Sequence, residues 1–512
     1  MAIFEGKVLL FTITALSCMG FMLIGYDNGL MGGLVDTKAF DNSFGINEKT
    51  DANLIALIVA IFEIGAFVGA MTTSFIGEWL GRRRSIAIGC TILIVGAVLQ
   101  ASSYSVAQMI VGRIVAGIGL GFVNSTCPVL MAEFAPKASR GIFVCAQLST
   151  LNFGVFLVYW IDYGFVSAPM ADQSFTWRIP VILQCVFLVA MLVIVAIIPE
   201  TPRWLASHDR SDEALAVLRR LYKYSMTEEE IVKAHQDIMR VVNYESSLGA
   251  GRWRDILKSD AIKSRRRFLV ACGCQIFQQL GGINAIIYYS NYIFQNSVGM
   301  SPHLASLMSG ILNTWFFVAS FIPWFLIDRI GRRPLLLSMV ALMAGVMATQ
   351  TGLIYAVENV PSMKTQAGIG AAAMLFIFQG AFTIGFQATV WVYPSEILPL
   401  KLRQRGSSVS TACNWICNFI IVYITPPAIQ NIRYRTYIIF AVLNTTWLPL
   451  IDKANSIHWY FFFPETKGLA LEDVDQLFLQ KNGQDIENLS RDDSADLEAM
   501  KAEERAEKFE AV

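Results

Sequence analysis

The sequence predicts an all-α membrane protein with twelve transmembrane helices arranged as two pseudo-symmetric six-helix bundles. Three observations predict it: a shortage of charge, twelve apolar runs, and a set of signatures that occurs twice. Only 16% of the residues are Asp, Glu, Lys or Arg, and 54% are apolar. Soluble domains carry about 25% charged residues, so this chain is built for lipid. Glu78-Trp79-Leu80-Gly81-Arg82-Arg83 returns as Asp328-Arg329-Ile330-Gly331-Arg332-Arg333. Glu133, Pro136 and Arg140 return with the same spacing as Glu396, Pro399 and Arg403. Pro199-Glu200-Thr201 returns as Pro464-Glu465-Thr466. Three signatures repeated in one order mean a duplicated unit, and paired membrane halves commonly hold a site at their interface that can face either side.

Crossing the hydrocarbon takes about 20 apolar residues. Runs of that kind occupy 8–30, 52–74, 85–102, 108–131, 142–164 and 180–198, then 268–291, 303–326, 334–356, 367–392, 404–425 and 434–463. They divide the chain into a first bundle at 1–202, a linker at 203–267, a second bundle at 268–463 and an acidic tail at 464–512. Loops carrying Arg82-Arg83-Arg84, Lys137 with Arg140, Arg329 with Arg332-Arg333, and Lys401 with Arg403 and Arg405 are basic, and the opposite loops are poor in Lys and Arg. The positive-inside rule therefore places both termini, the linker and the tail in the cytosol. The first run is too long for a cleavable signal and leads into Tyr26-Asp27 without a small-residue cleavage site.

The linker holds 14 Lys/Arg and 10 Asp/Glu. Ala214, Leu215, Val217, Leu218 and Leu221 recur at helical spacing, and Thr227 with Glu230 forms a capping box that opens a second helix. These are expected to be solvated helices bracing the cytosolic face. Sequons at Asn124, Asn444 and Asn488 fall in membrane runs or the cytosolic tail, so no glycan is expected there.

Several chemistries are not expected. Net charge is zero, which argues against nucleic acid. The nine cysteines lie in apolar stretches, unspaced for metal, and read as free thiols. None of the four histidines has a second metal-type ligand on its helix face, so neither a metal nor another cofactor is expected. No nucleophile, base and orienting group occur together, so an enzyme is not expected. The expected assembly is a monomer.

Gly25-Tyr26-Asp27, both Gly-Arg-Arg loops, Pro199-Glu200-Thr201-Pro202-Arg203-Trp204, Gln278-Gln279-Leu280-Gly281-Gly282-Ile283-Asn284, Asn414-Trp415 and Pro464-Glu465-Thr466-Lys467-Gly468 occur in that order. Across roughly 8–475 the chain resembles the sugar porter family of the major facilitator superfamily, most closely its fungal monosaccharide (hexose or xylose) transporters. The resemblance implies twelve helices, a sugar site at the bilayer midplane and, in many members, coupling to protons. It also implies that Gln147, Gln278, Gln279, Asn284, Asn313, Trp391 and Asn414 contact the sugar.

The residues themselves lead to a similar place. A sugar is a neutral ring edged with hydroxyls that both donate and accept. Amide side chains supply both roles without charge, and an aromatic ring can cover an apolar face. In run seven, amides flank Gly281-Gly282, and broken backbone at membrane depth is tolerated only inside protein or along a watery cavity. The alternative for any of these amides is helix-to-helix packing. Run ten departs from the family: Gln387-Ala388 stands near the place of the usual Gly-Pro, which leaves its bend open and makes Gln387 a candidate to face the sugar. Gly20 and Gly25 match a pattern that resembles one associated with xylose acceptance, and they equally suit close helix packing.

Asp27 and Arg113 are charges inside membrane runs. An isolated one costs about 2.5–3.5 kcal/mol on insertion scales, so such residues usually have a partner and a task. The resemblance pairs them: protonating Asp27 would release Arg113, and sugar binding could bias either state. A permanent ion pair without proton turnover is the alternative. Glu63 is a second intramembrane acid, either a proton carrier or, more in keeping with its surroundings, a packing or hydrogen-bonded residue. At the cytosolic edge, Glu78, Arg82, Arg83, Glu133, Arg140, Glu200, Arg203, Asp328, Arg332, Arg333, Glu396 and Arg403 resemble a charge gate, with Glu133 meeting Arg83 and Glu396 meeting Arg333 when that side closes. Glu78 stands where the family more usually has Asp.

One stretch does not fit. Asp452-Lys453-Ala454-Asn455-Ser456-Ile457-His458-Trp459 interrupts run twelve with polar residues, which marks it as an insertion that impairs folding. Deleting 452–459 is expected to raise surface expression. The function expected from all of this is transport of a monosaccharide, glucose-like or xylose, by proton symport. The rivals are a facilitative sugar carrier, a sugar-sensing receptor on the same scaffold, which the short tail disfavours, and a carrier of another polyol or an organic acid. An anion would want a cation in the cavity, and run seven offers none.

Overall fold

The structure, a computed structural model, describes residues 5–35, 37–46, 51–135, 140–167, 172–247, 263–398 and 403–451. Among the described residues there are helices and no strands. In order, the α-helices of the first half are α1 (Lys7–Leu34), α2 (Lys38–Phe44), α3 (Ala52–Leu80), α4 (Arg82–Ala101), α5 (Val106–Phe134), α6 (Arg140–Val166) and α7 (Phe175–Ile197). The linker forms α8 (Pro202–Ser207), α9 (Ser211–Tyr222) and α10 (Glu228–Ser247). The second half holds α11 (Ser264–Leu280), α12 (Ile283–Tyr292), α13 (Pro302–Ala319), α14 (Pro323–Ile330), α15 (Arg332–Asn359), α16 (Lys364–Phe382), α17 (Ala388–Ile397), α18 (Arg403–Ile432) and α19 (Arg435–Ile451).

The first eleven expected spans coincide with helices, and so does the described part of the twelfth. Eleven are long and apolar enough to cross a membrane, and the twelfth, α19, is described for 17 residues. The polar stretch 452–459 and the tail lie outside the described residues. Several helices overrun their apolar runs: α3 has 29 residues. At 1.5 Å per residue that is roughly 43 Å, against about 30 Å of hydrocarbon, so helices continue into the polar layer where hydropathy no longer marks them.

The repeated Gly-Arg-Arg signature is a backbone device. Gly81 alone separates α3 from α4 with φ +83°, and Gly331 alone separates α14 from α15 with φ +99°. L side chains rarely adopt that region, so glycine makes the reversal in both halves. Helices elsewhere approach closely through missing side chains. A Cβ on Gly25 would lie 1.8 Å from the Leu151 carbonyl, and one on Gly154 would lie 2.0 Å from the Met22 carbonyl. Gly20 is likewise pressed against Cys127, so both glycines of the Gly20–Gly25 pattern sit at helix crossings.

The linker behaves as its sequence predicts. Ala214, Val217, Leu218 and Leu221 are the buried face of α9. The capping box forms, with the Thr227 amide donating to Glu230 at 2.7 Å and the Glu230 amide to the Thr227 hydroxyl at 3.4 Å. Trp204, Leu205, Ala206 and the α9 face share a core with Leu9, Phe134 and Val195, so the linker packs under the first half. A second core joins Tyr26, Leu30, Val155 and Tyr159 of the first half to Ile286, Tyr288, Phe316 and Phe378 of the second.

Candidate functional site

The second half's first span breaks where the paired glycines predict. α11 ends at Leu280, α12 begins at Ile283, and Gly282 sits between them with φ +94°. A Cβ there would meet the Phe440 ring at 2.6 Å. The break turns the amides on its two sides toward one another and toward α18. Asn414 donates to Gln275 at 2.7 Å and to Gln278 at 3.0 Å, while Gln279 donates to Asn414 at 2.9 Å. Asn284 donates to Gln279 at 2.7 Å and to Asn418 at 2.6 Å. All six are buried. Gln278, Gln279, Asn284 and Asn414 therefore form one hydrogen-bonded network at the broken span, joined by Gln275 and Asn418, which the sequence reading missed. Their signal was in the sequence: Gln275 and Asn418 lie within one helical turn of Gln278, Gln279 and Asn414, on the same helices.

The other expected sugar contacts lie outside this network. Asn313 on α13 donates to the Ser309 carbonyl at 3.0 Å and accepts from Gln379 at 3.3 Å. Gln147 on α6 donates to Ser17 of α1. Trp391, half-buried on α17, packs against the core cluster that contains Leu148 and Trp415. Run ten changes its winding where the family's Gly-Pro is missing: a π-helical turn, Thr383–Gln387, separates α16 from α17. Such turns recur at functional sites. Gln387 then crosses to the first half, exchanging two hydrogen bonds with Asn152, at 2.9 and 2.6 Å.

The membrane charges are fully buried. Arg113 donates to the carbonyls of Ile58 at 3.3 Å and Val59 at 2.9 Å, and its guanidinium lies 4.4 Å from the centre of the Phe62 ring. Asp27 is within electrostatic reach of Arg113 but no ion pair joins them, and neither Asp27 carboxylate oxygen has a hydrogen-bond partner. Glu63 accepts a short hydrogen bond from Tyr288 of α12, across the two halves.

At the linker end, Arg82 and Glu133 form a half-buried ion pair at 2.9 Å. The gate-like charge motifs suggest Arg83 for Glu133 when the cytosolic side is closed. Arg83 instead donates to the carbonyls of Val195 and Ala196, at 3.1 and 3.2 Å, capping the end of α7. A helix C-terminus offers orphan carbonyls and partial negative charge, which hold the second arginine there. Glu200 accepts from the backbone amides of Arg82, Arg83 and Thr201 at 3.1–3.2 Å, and Trp204 donates to the Glu78 carbonyl at 2.6 Å. Burial pushes the Glu200 carboxyl above its ordinary range despite those three donors. Arg203, Arg332 and Arg333 each have polar or electrostatic contacts. The side chains of Arg140, Asp328, Glu396 and Arg403 lie outside the described residues.

The model of the family described as "Sugar (and other) transporter" matches residues 12–478. The chain is 35% identical over 477 residues to the MFS-type transporter oryC of Aspergillus oryzae, covering 92% of this chain and 86% of that one. It is 34% identical to the sugar transporter STL1 of Saccharomyces cerevisiae, with 92% and 82% covered. It is 30% identical to a high-affinity glucose transporter of Kluyveromyces lactis, with 92% and 85% covered. Among solved structures, the proton:xylose symporter XylE bound to 6-bromo-6-deoxy-D-glucose superposes with a TM-score of 0.75 at 25% identity, covering 92% of this chain and 99% of that one. The chain belongs to the sugar transporter family of the major facilitator superfamily. It is a multi-pass membrane transporter and not an enzyme, with the two-bundle fold that its repeats predict.

Proposed function

We propose that this transporter moves a monosaccharide, a glucose-like hexose with xylose as second substrate, together with a proton into the cytosol. The observation that carries the reading is the amide network at the broken span. It is neutral and buried, it offers donors and acceptors together, and it lies on a helix hydrogen-bonded to the acid-bearing half. Gln278, Gln279, Asn284 and Asn414 bind the sugar, with Gln147, Asn313 and Trp391 lining the cavity as the halves rock. Asp27 and Arg113 couple the proton. The acid is buried and has no hydrogen-bond partner, and the membrane potential adds about 2.3 kcal/mol per charge per 100 mV. The gate residues Arg82, Glu133 and Glu200, with their counterparts in the second half, hold the linker end closed in one state. Residues 1–202 and 268–463 act as the two moving bundles around the 203–267 linker; the basic loops support cytosolic termini, and the membrane of this reading is the plasma membrane.

The test is labelled glucose uptake in a transporter-deficient yeast, competed by hexoses and pentoses at two external pH values, with external alkalinisation recorded. Uptake competed by glucose and xylose, with sugar-driven alkalinisation, is the expected result. Uptake without alkalinisation overturns proton coupling in favour of a facilitative carrier. A chain that reaches the surface and moves no sugar overturns the reading in favour of a sensor.

A further inference from the structure

Two buried acids share one buried arginine. Asp27 on α1, Glu63 on α3 and Arg113 on α5 are each 0% exposed. Arg113 binds the carbonyls of Ile58 and Val59, about one turn before Glu63, and feels the charge of both acids. With both carboxylates ionised the fully buried group would carry a net negative charge, which burial disfavours. One added proton brings it to neutrality.

The two acids differ in what they touch. Asp27 has no hydrogen-bond partner. Glu63 accepts from Tyr288, which lies one turn beyond Asn284 on α12. Asn418, which accepts from Asn284 at 2.6 Å, adjoins both Glu63 and Tyr288. The same helix is clamped to the first half at two more points: Tyr159 donates to the Ile287 carbonyl at 2.6 Å, and Gly32 faces the Tyr288 carbonyl. The groups facing Glu63 are thus Arg113 from α5, Asp27 from α1 and Tyr288 from α12, while α18 contributes the uncharged Asn418.

We propose that Asp27 and Glu63 share the single transported proton against Arg113, and that Glu63 is the member that communicates it to the sugar site, through Tyr288 and Asn418. This rests on the symport reading above. When the proton is bound, the group is neutral, Tyr288 keeps its acceptor on Glu63, and Asn284 stays ordered for sugar. When the proton leaves to water, Glu63 and Asp27 compete for Arg113, Glu63 is drawn toward α5, and the hold on α12 and Asn284 changes. No bond other than O–H forms or breaks.

The experiment compares wild type, Glu63→Gln and Tyr288→Phe in the full chain, measuring surface abundance, sugar counterflow, sugar-driven alkalinisation and KM against pH. Glu63→Gln leaves Asp27 and Arg113 balanced without a proton. The expected result is at least a tenfold loss of alkalinisation per sugar moved, with counterflow, which needs no net proton movement, still present. Tyr288→Phe keeps both acids but cuts the connection, and it is expected to flatten the pH dependence of KM. Undiminished alkalinisation in Glu63→Gln overturns the proposal while leaving symport through Asp27 standing. A KM that follows pH in Tyr288→Phe as in wild type overturns the assigned route. A wild type that moves sugar without alkalinisation overturns the symport reading, and this proposal with it.

Discussion

The two buried polar groups of this transporter are built on opposite terms. The amide network around the α11–α12 break satisfies itself: Gln275, Gln278, Gln279, Asn284, Asn414 and Asn418 trade hydrogen bonds within the second half. The charged group of the first half does not: Asp27 has no hydrogen-bond partner, and Glu63 finds its partner on the far side of the interface. A neutral network can exchange its internal hydrogen bonds for sugar hydroxyls at small net cost, because bonds lost and gained are alike. A buried carboxylate short of partners is relieved only by a proton or a counter-charge. One region is therefore suited to a polyhydroxy ligand and the other to an ion.

The contrast can be broken from either side. Arg113→Leu has the largest expected effect, since it strands two buried acids. Leaving buried charge uncompensated costs about 3–5 kcal/mol, and the variant is expected to be depleted from the surface in a fluorescence-tagged expression assay. Asn284→Leu removes a hub while leaving volume. Its former partners are left unsatisfied at about 1–3 kcal/mol, so sugar affinity measured by counterflow is expected to fall about 10- to 100-fold with surface abundance kept. Asp27→Asn acts on the other region alone: uphill accumulation is expected to vanish, whereas downhill exchange stays within about tenfold. Arg82→Gln, at the half-buried pair with Glu133, is expected to be the mildest. A loss of about 1 kcal/mol moves the balance of inward and outward states about fivefold, readable as altered cysteine accessibility at the linker end.

Much of this was legible in the sequence. The twelve spans followed from apolar length, the α11–α12 break from adjacent glycines, and the linker capping box from Thr227 and Glu230. Three of the six amides, Gln278, Gln279 and Asn284, stand close together around an obvious break, and Asn414 was named through the family resemblance. What could not be read is pairing across the halves. Tyr288 and Glu63 are 225 positions apart, Asn152 and Gln387 are 235 apart, and each pair joins helices from different halves. Periodicity says which face such a residue occupies, not which helix will meet it. The partner of Glu133 was missed for a local reason: Arg82 and Arg83 are adjacent, and only the position of the α7 terminus decides which arginine turns inward.

The Asn152–Gln387 pair bears on how the halves can move. Each amide gives one donor and one acceptor to the other, and each also donates to a main-chain carbonyl, Asn152 to Phe316 and Gln387 to Leu148. A joint of this kind holds no net charge, so dissolved salt has no grip on it, and the carbonyls beside it offer alternative acceptors as the pair shears. Motion at this joint between α6, α13 and the π turn is therefore expected to be insensitive to ionic strength, leaving any such sensitivity to the arginine-rich linker end.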